Sequence, residues 1–323
     1  MSAEISIITP VYNGERYLAE VIESVLGQHD IEIDYIIIND GSLDTSLSIA
    51  LKYRDLYPKT IRVFDQKNSG EASAVNFGFL QSTSEFVCIV NADDPLLPGH
   101  SRKMVDALNL SGAVVSYPDW KMIDENGTLI RSVKTIAYSK RALVADFVCI
   151  PGPGAVMRRA SFCGFLPRDT KYKYISDYVC WLRLSVQGSF IRVPEELAVW
   201  RQHQLGATAI GKGKPIADEL IRLSDEGLLE IFGQDICKKW IRWARSHAYY
   251  YAGLTAISDP SVRGIRKLVR SFLFKPLPNF GYETHHRSIL RIGAVLLGPI
   301  GRAVVRKKES GRRPVMDISS YRE

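Results

Sequence analysis

Phe86-Val87-Cys88-Ile89-Val90-Asn91-Ala92-Asp93-Asp94 is the stretch that decides the fold. Its first five residues are an unbroken apolar run of strand length, which reads as a strand buried on both faces in a parallel sheet. Two adjacent carboxylates then stand at its carboxyl end, where open α/β sheets bind their ligands. Carboxylates crowded there repel one another unless a cation joins them. Mg²⁺ or Mn²⁺ shared with a diphosphate meets that need, because hard cations take oxygen ligands and share them with substrate phosphates. The same residues also read as a helix start, with Asp94 capping a short helix at Pro95-Leu96-Leu97. The upstream chain favours the cation.

Working back from there, Ile5-Ser6-Ile7-Ile8-Thr9 reads as a strand stopped at Pro10, Asn13-Gly14 as a turn, and Glu15 to Leu26 as a helix with Tyr17, Leu18, Val21, Ile22 and Val25 on one face. Tyr35-Ile36-Ile37-Ile38 is a second buried strand ending at Asn39-Asp40-Gly41-Ser42, followed by a helix over 44–54. Ile61-Arg62-Val63-Phe64 is a third strand, and Glu71 to Gln81 a third helix. This alternation predicts a mostly parallel sheet with right-handed crossovers, and places function at the strands' carboxyl ends.

Five successive segments carry a resemblance: Thr9-Pro10-Val11-Tyr12-Asn13, Asn39-Asp40-Gly41-Ser42-Leu43-Asp44, Asn68-Ser69-Gly70, Asn76-Phe77-Gly78 and Asn91-Ala92-Asp93-Asp94. In that order and spacing they resemble the signatures of family 2 inverting glycosyltransferases with the GT-A fold, over roughly residues 3–205. The resemblance implies an α/β, Rossmann-like, mostly parallel sheet flanked by helices, here with a C-terminal helical extension. It implies a nucleotide-sugar donor and Mg²⁺ or Mn²⁺. Asp40 would accept a hydrogen bond from a base imide N–H, which uracil and thymine offer and cytosine does not, so UDP is expected and TDP less so. Its other role would be to cap the helix that starts near Ser42. Gly41 would let the backbone turn close to the nucleotide. Thr9, Pro10 and Tyr12 would line the donor pocket, and Lys67 stands near it or in solvent. Asn91 and Ala92 complete the donor side, with Asn91 where the family usually carries an acid. Asp93 and Asp94 are the implied metal ligands, Asp93 direct and Asp94 supporting.

On the acceptor side, Ala113 to Tyr117 and Thr128 to Ile130 bracket Asp124-Glu125-Asn126-Gly127, whose Asn-Gly reads as a hairpin turn. Pro151-Gly152-Pro153-Gly154 is a bare, rigid loop that in the family lies beside acceptor and donor sugar; it also reads as a simple connector. Asp177 opens an amphipathic helix. By the resemblance it is the general base that takes the acceptor hydroxyl proton, where many relatives carry Glu-Asp and this chain has Ser176-Asp177. Trp200-Arg201-Gln202-His203, after a strand over 190–193, resembles a signature closing the site, with Arg201 or His203 on the diphosphate or ordering a loop.

Whole-chain properties bound these readings. The 323 residues, 46% hydrophobic and 24% charged, suit one main globular domain with an appendage. Three parts are expected: a glycosyltransferase domain over 1–205, a helical extension over 206–260 and a basic tail over 261–323. The five cysteines are scattered and lack zinc-ligand spacing, as expected of thiols in a reducing cytoplasm. No signal peptide is read at the start, and no run of about 18 apolar residues suggests a spanning helix. Residues 261–323 hold 14 of the 42 Lys+Arg and 4 of the 35 Asp+Glu, leaving 28 and 31 elsewhere, so the basic balance belongs to the tail. There Arg263, Arg266, Lys267 and Arg270 share one helical face and Ile265, Leu268, Val269, Phe272 and Leu273 the other, a pattern suited to an anionic bilayer surface. Packing on the catalytic domain is the plainer alternative. Nucleic acid is not expected, since no recognised module accompanies the charge.

The expectation is therefore a metal-dependent transferase passing a sugar from UDP to a hydroxyl of a lipid-linked or cell-surface glycan, peripheral on the inner face of the plasma membrane. Two alternatives are a non-catalytic sugar-nucleotide-binding or assembly protein of the same fold, motivated by Asn91 and Ser176, and a nucleotidyltransferase. The latter wants a Gly-rich, cationic phosphate loop after the first strand, which Pro10-Val11-Tyr12-Asn13-Gly14 is not.

Overall fold

The computed structural model describes residues 3–149, 151–203, 214–236, 238–255, 270 and 273. These divide into two compact units, one of 3–138 with 149–203 and the other of 139–148 with the residues from 214 onward.

The first unit is a mixed sheet. Its opening strands are β1 (Ile5–Val11), β2 (Ile33–Asn39), β3 (Ile61–Asp65) and β4 (Phe86–Ile89), separated by helices α1 (Leu18–Leu26), α2 (Ser46–Leu56) and α3 (Glu71–Gln81). All four strands are parallel, in the order β3-β2-β1-β4. Helix α4 (His100–Ser111) leads to β5 (Val115–Ile123) and β6 (Leu129–Val133). Short β7 (Val156–Arg158) inserts antiparallel between β4 and β5, and long β8 (Phe190–Arg201) runs parallel along β5.

Alternation along the strands explains the layers. Ile5, Ile7, Tyr35 and Ile37 pack with Leu18, Val21, Ile22 and Val25 of α1 and with Met104, Val105 and Leu108 of α4. Ile8, Ile36, Ile38 and Val87, from the intervening positions, pack with Ala74 and Phe79 of α3. The opposite face of the sheet is thus covered by α3, and it lies close: a Cβ on Gly78 would stand 2.5 Å from Ile8 Cγ2.

Several boundaries differ from the expectation. Helix α1 starts at Leu18 rather than Glu15, because the Glu15 N–H is bound by Asp44 Oδ2 and the Gly14 N–H by Ser46 Oγ. Helix α2 starts at Ser46, whose N–H donates to Asp44 Oδ1. Asp44, and not Asp40, therefore serves that helix end. No helix forms at Pro95-Leu96-Leu97; that segment lies antiparallel on β8, with the Leu97 N–H donating to the Leu197 carbonyl. Strand β8 continues past Val193 to Arg201, its register shift against Pro118 and Asp119 absorbing Pro194 and Glu195.

In the second unit, α5 (Lys140–Ala145) packs with helix Lys238–Thr255: His247 Nδ1 is 3.0 Å from the Ala145 carbonyl and Arg141 lies over the Trp243 ring at 5.4 Å. The extension expected to be helical over 206–260 comprises, among the described residues, helices Lys214–Arg222, Leu228–Phe232 and Lys238–Thr255, the first two joined through a π-helical turn at Leu223–Gly227. Residues 139–148 join this unit although they stand inside the 1–205 segment. Residues 204–213 and the tail over 261–323, apart from 270 and 273, lie outside the described residues. Among the described residues no helix is long and apolar enough to cross a membrane.

Candidate active site

The carboxyl ends of the parallel strands are stitched to one another before any ligand is considered. The Asp40 N–H donates to the Val11 carbonyl and the Gln66 N–H to the Asn39 carbonyl. Asn13 stands at φ 52° and its carboxamide oxygen accepts from the Leu43 N–H at 2.8 Å, while Ser42 Oγ accepts from the Asn13 N–H at 3.0 Å. Part of the motif pattern is thus a loop fastener.

Asp40 organises the rim. Its Oδ1 accepts from Gln66 Nε2 at 2.7 Å and the Ser69 N–H at 2.8 Å, and its Oδ2 accepts from the Gly70 N–H at 2.8 Å. The carboxylate is only 3% exposed, and one lone pair of Oδ2 is left over. Gly41 adopts φ +68°, and a Cβ there would stand 2.7 Å from the Asn68 N, so the close loop approach needs glycine. Tyr12 is exposed at this rim, as is Lys67. Thr9 and Pro10 are placed differently from the expectation. Both are buried within β1, which runs on to Val11, and the Thr9 hydroxyl shares a hydrogen bond with Tyr35 Oη.

At the end of β4, Asn91 is exposed, and Ala92 and Asp93 are half-buried. Asp94 is buried and both its oxygens are engaged: Oδ1 accepts from the Arg201 N–H at 2.8 Å and Oδ2 from Asn91 Nδ2 at 2.9 Å. Burial, with Asp93 beside it, pushes Asp94 well above the usual carboxylate range. Asp94 is therefore a buried hub that ties β8 to β4 through both its oxygens. Asp93 Oδ2 instead meets His203 Nε2 at 2.8 Å. Both remain reachable by water; the Asp93 carboxylate is the oxygen donor that would hold Mg²⁺ or Mn²⁺, and the His203 nitrogen would stand beside it. Among the described residues no cluster of three or more His, Cys, Asp or Glu could hold a metal by itself.

Arg201 is likewise a brace. It is 4% exposed, and its guanidinium donates to Glu20 Oε2 at 2.7 Å and the Asp93 carbonyl at 3.1 Å while covering the Tyr17 ring at 4.5 Å. Tyr17 also lies against His203, with ring centroids 5.3 Å apart.

The residues expected on the acceptor side stand in the 151–154 segment and on α6 (Ser176–Gln187). Pro151 and Gly154 are buried, Gly152 and Pro153 partly so. The Gly154 carbonyl accepts from His100 Nε2 at 2.7 Å, which fixes the tautomer of that fully buried ring. Burial lowers the His100 pKa to about 4. A side chain on Gly152 would collide with Trp120, its Cβ falling 2.7 Å from Nε1.

Asp177 sits in the first turn of α6, in contact with water yet hemmed in by protein. Oδ1 accepts from the Tyr178 N–H at 2.7 Å; among the described residues Oδ2 is uncommitted. Burial raises its pKa above the usual value, opposed by Arg168. That direction suits a proton acceptor, whose strength grows with pKa.

A sequence profile described as Glycosyl transferase family 2 matches residues 6–173. The chain belongs to glycosyl transferase family 2. It is 31% identical over 212 residues to an uncharacterized glycosyltransferase of Rickettsia typhi, covering 63% of this chain and 65% of that protein. The chain spans less than two thirds of the length of the curated relatives it matches, from 19% to 65% for the Rickettsia proteins. Among solved structures it is similar to S. aureus TarS 1–349 in complex with UDP-GlcNAc, at TM-score 0.63, 16% identity and coverage of 98% and 89% of the two chains. It is also similar to the mannosyltransferase PcManGT of Pyrobaculum calidifontis in complex with GDP-Man and Mn²⁺, at TM-score 0.54, 16% identity and coverage of 94% and 87%. At such identities the likeness is one of fold.

Sequence reasoning passed over several residues of this family-2 site: Glu20, Glu71, His100, Trp120 and Arg168. Each acts through a partner distant in sequence, and a single chain carries no signal for such pairs. Only Glu20 and Glu71 had one, each as an acid in the first turn of a helix.

Proposed function

We propose that this chain is an inverting glycosyltransferase that moves a sugar from UDP-sugar to a hydroxyl of a lipid-linked or cell-surface glycan, with Mg²⁺ or Mn²⁺ held by Asp93, beside His203. The observation that carries the reading is Asp177: a carboxylate in contact with water, with one oxygen uncommitted and its basicity raised by its surroundings. An inverting displacement needs such a base behind the anomeric carbon. Asp177 takes the acceptor hydroxyl proton as that oxygen bonds to carbon and the sugar–phosphate bond breaks. When bound, the metal supplies positive charge for the departing diphosphate. Asp94 and Arg201 keep Asp93 and His203 in register.

A uracil base is supported by the remaining acceptor position of Asp40 at the rim. Calorimetric titration of UDP with Mn²⁺, with EDTA and against CDP tests the donor side. Tight, metal-dependent binding selective for UDP is expected, with a UDP-sugar panel to follow. Absence of binding under both conditions removes the donor assignment.

A further inference from the structure

Two lines of contact run from α3 to α6, and they meet on one residue. The polar line starts at Asn76, a buried side chain in the middle of α3. Its Nδ2 donates to the Arg168 carbonyl at 2.8 Å and its Oδ1 accepts from the Arg168 N–H at 2.9 Å. Arg168 Nε also donates to Glu71 Oε1 at 3.0 Å, so the same loop residue is pinned to α3 at a second point. The next residue reaches α6. Asp169 Oδ2 accepts from Arg183 Nη2 at 2.6 Å, while Oδ1 accepts from the Lys171 N–H at 3.0 Å and keeps the turn closed. The apolar line runs from Phe79 on α3 through Phe162 and Phe165, with ring centroids 4.6 and 5.2 Å apart, and ends under the Arg183 guanidinium, 5.7 Å above the Phe165 ring.

Residues 162–175 form neither helix nor strand, so side chains carry the fastening that a ladder would otherwise supply. The Asn76 amide satisfies both backbone groups of Arg168, as a neighbouring strand would. The Asp169–Arg183 pair is largely out of water, its side chains 12% and 24% exposed, and such a pair is screened less than one on the surface. At its other end α3 begins on the Asp40 carboxylate, which accepts from the Ser69 and Gly70 N–H groups. Helix α6 carries Asp177 in its first turn. One helix therefore connects the nucleotide rim to the support of the base.

We propose that Asn76 and Asp169 are positioning residues: with 162–169 as a strut between α3 and α6, they set where Asp177 stands relative to the Asp40 rim. The inference rests on the reading of Asp177 as base and adds to it what fixes that base against the donor. Neither residue touches the reacting atoms. Each acts through the helix it holds.

Amide hydrogen exchange in the full chain reads the strut without any assay of transfer. Asn76→Ala and Asp169→Asn are each expected to speed exchange over 180–184 of α6 by about 10-fold or more, the local opening expected when buried bonds are lost, while β1 and β2 stay protected. The double variant is expected to exchange no faster than Asn76→Ala alone, because the two fastenings act in series. Arg183→Lys, which keeps the pair's charge, is expected to fall between the wild type and Asp169→Asn. In steady-state transfer Asn76→Ala is expected to lower kcat by about 10- to 100-fold with donor KM within about twofold, the signature of a misplaced group and not of lost binding. Unmoved α6 exchange in a folded Asn76→Ala protein, equal acceleration in β1 and β2, or full kcat beside a loosened α6 overturns the proposal. If that variant does not fold, an unmoved α6 in Asp169→Asn overturns it. Undiminished transfer by Asp177→Asn would instead remove the base reading while the exchange result stands, so the two failures are distinguishable.

Discussion

Asp93 and Asp94 are neighbours in sequence with different fates, and the difference lies in the turn that follows β4. Asp94 turns inward to accept two N–H donors, while Asp93 turns to His203. Asp93→Ala should leave the fold intact and lower turnover by an amount comparable to removing one transition-state donor, about 10²–10³-fold; wild-type-like transfer would refute the assignment. His100 gives a pH prediction that needs no substrate. Its folded pKa is about 4 against a usual 6.5, so the unfolded chain binds the extra proton between those values. Stability is therefore fully present above about 6.5 and drains as pH falls toward 4, at up to about 1.4 kcal/mol per unit. His100→Gln, whose amide can still donate to Gly154, should flatten that slope in urea titrations at pH 5 and 7.

At the scale of elements, the strands and helices of the first half were legible because each carries its own periodicity. The run Phe86–Val90 and the α1 stripe needed no partner to be read, and helix Glu71–Gln81 was readable to its ends. What could not be read were effects of pairing. Strand β8 looks finished at Val193 because Pro194-Glu195-Glu196 breaks the apolar pattern, and only the irregular register opposite β5 carries it on. The same holds for the site. Asp40, Asp93 and Asp177 stand out in the sequence, whereas Arg168 and His100 matter only through residues 92 and 54 positions away. Asn76 and Gly78 belong to a motif but act as packing devices. Gly78→Ala should cost about 1–2 kcal/mol, the crowding against Ile8 and Ile38 outweighing the gain in helix propensity. A lowered urea midpoint at constant m-value would show it; a raised midpoint would mean α3 can back away.

For the whole molecule, charge is unevenly spread, with 14 Lys+Arg against 4 Asp+Glu in 261–323. Each such cation near an anionic bilayer is worth about 1 kcal/mol. Deleting 261–323 is expected to abolish sedimentation with anionic vesicles and to leave UDP binding unchanged; unaltered sedimentation would locate any membrane contact elsewhere. The second unit also reaches back into the first half of the chain for α5, whose Ala142, Leu143, Val144 and Ala145 are all buried. During synthesis that short helix leaves the ribosome 98 residues ahead of Lys238, where its long partner begins. At about 5–20 residues per second, the wait lasts roughly 5–20 s. For that interval the nascent chain carries an unpaired apolar strip, an exposure written into the order of the chain.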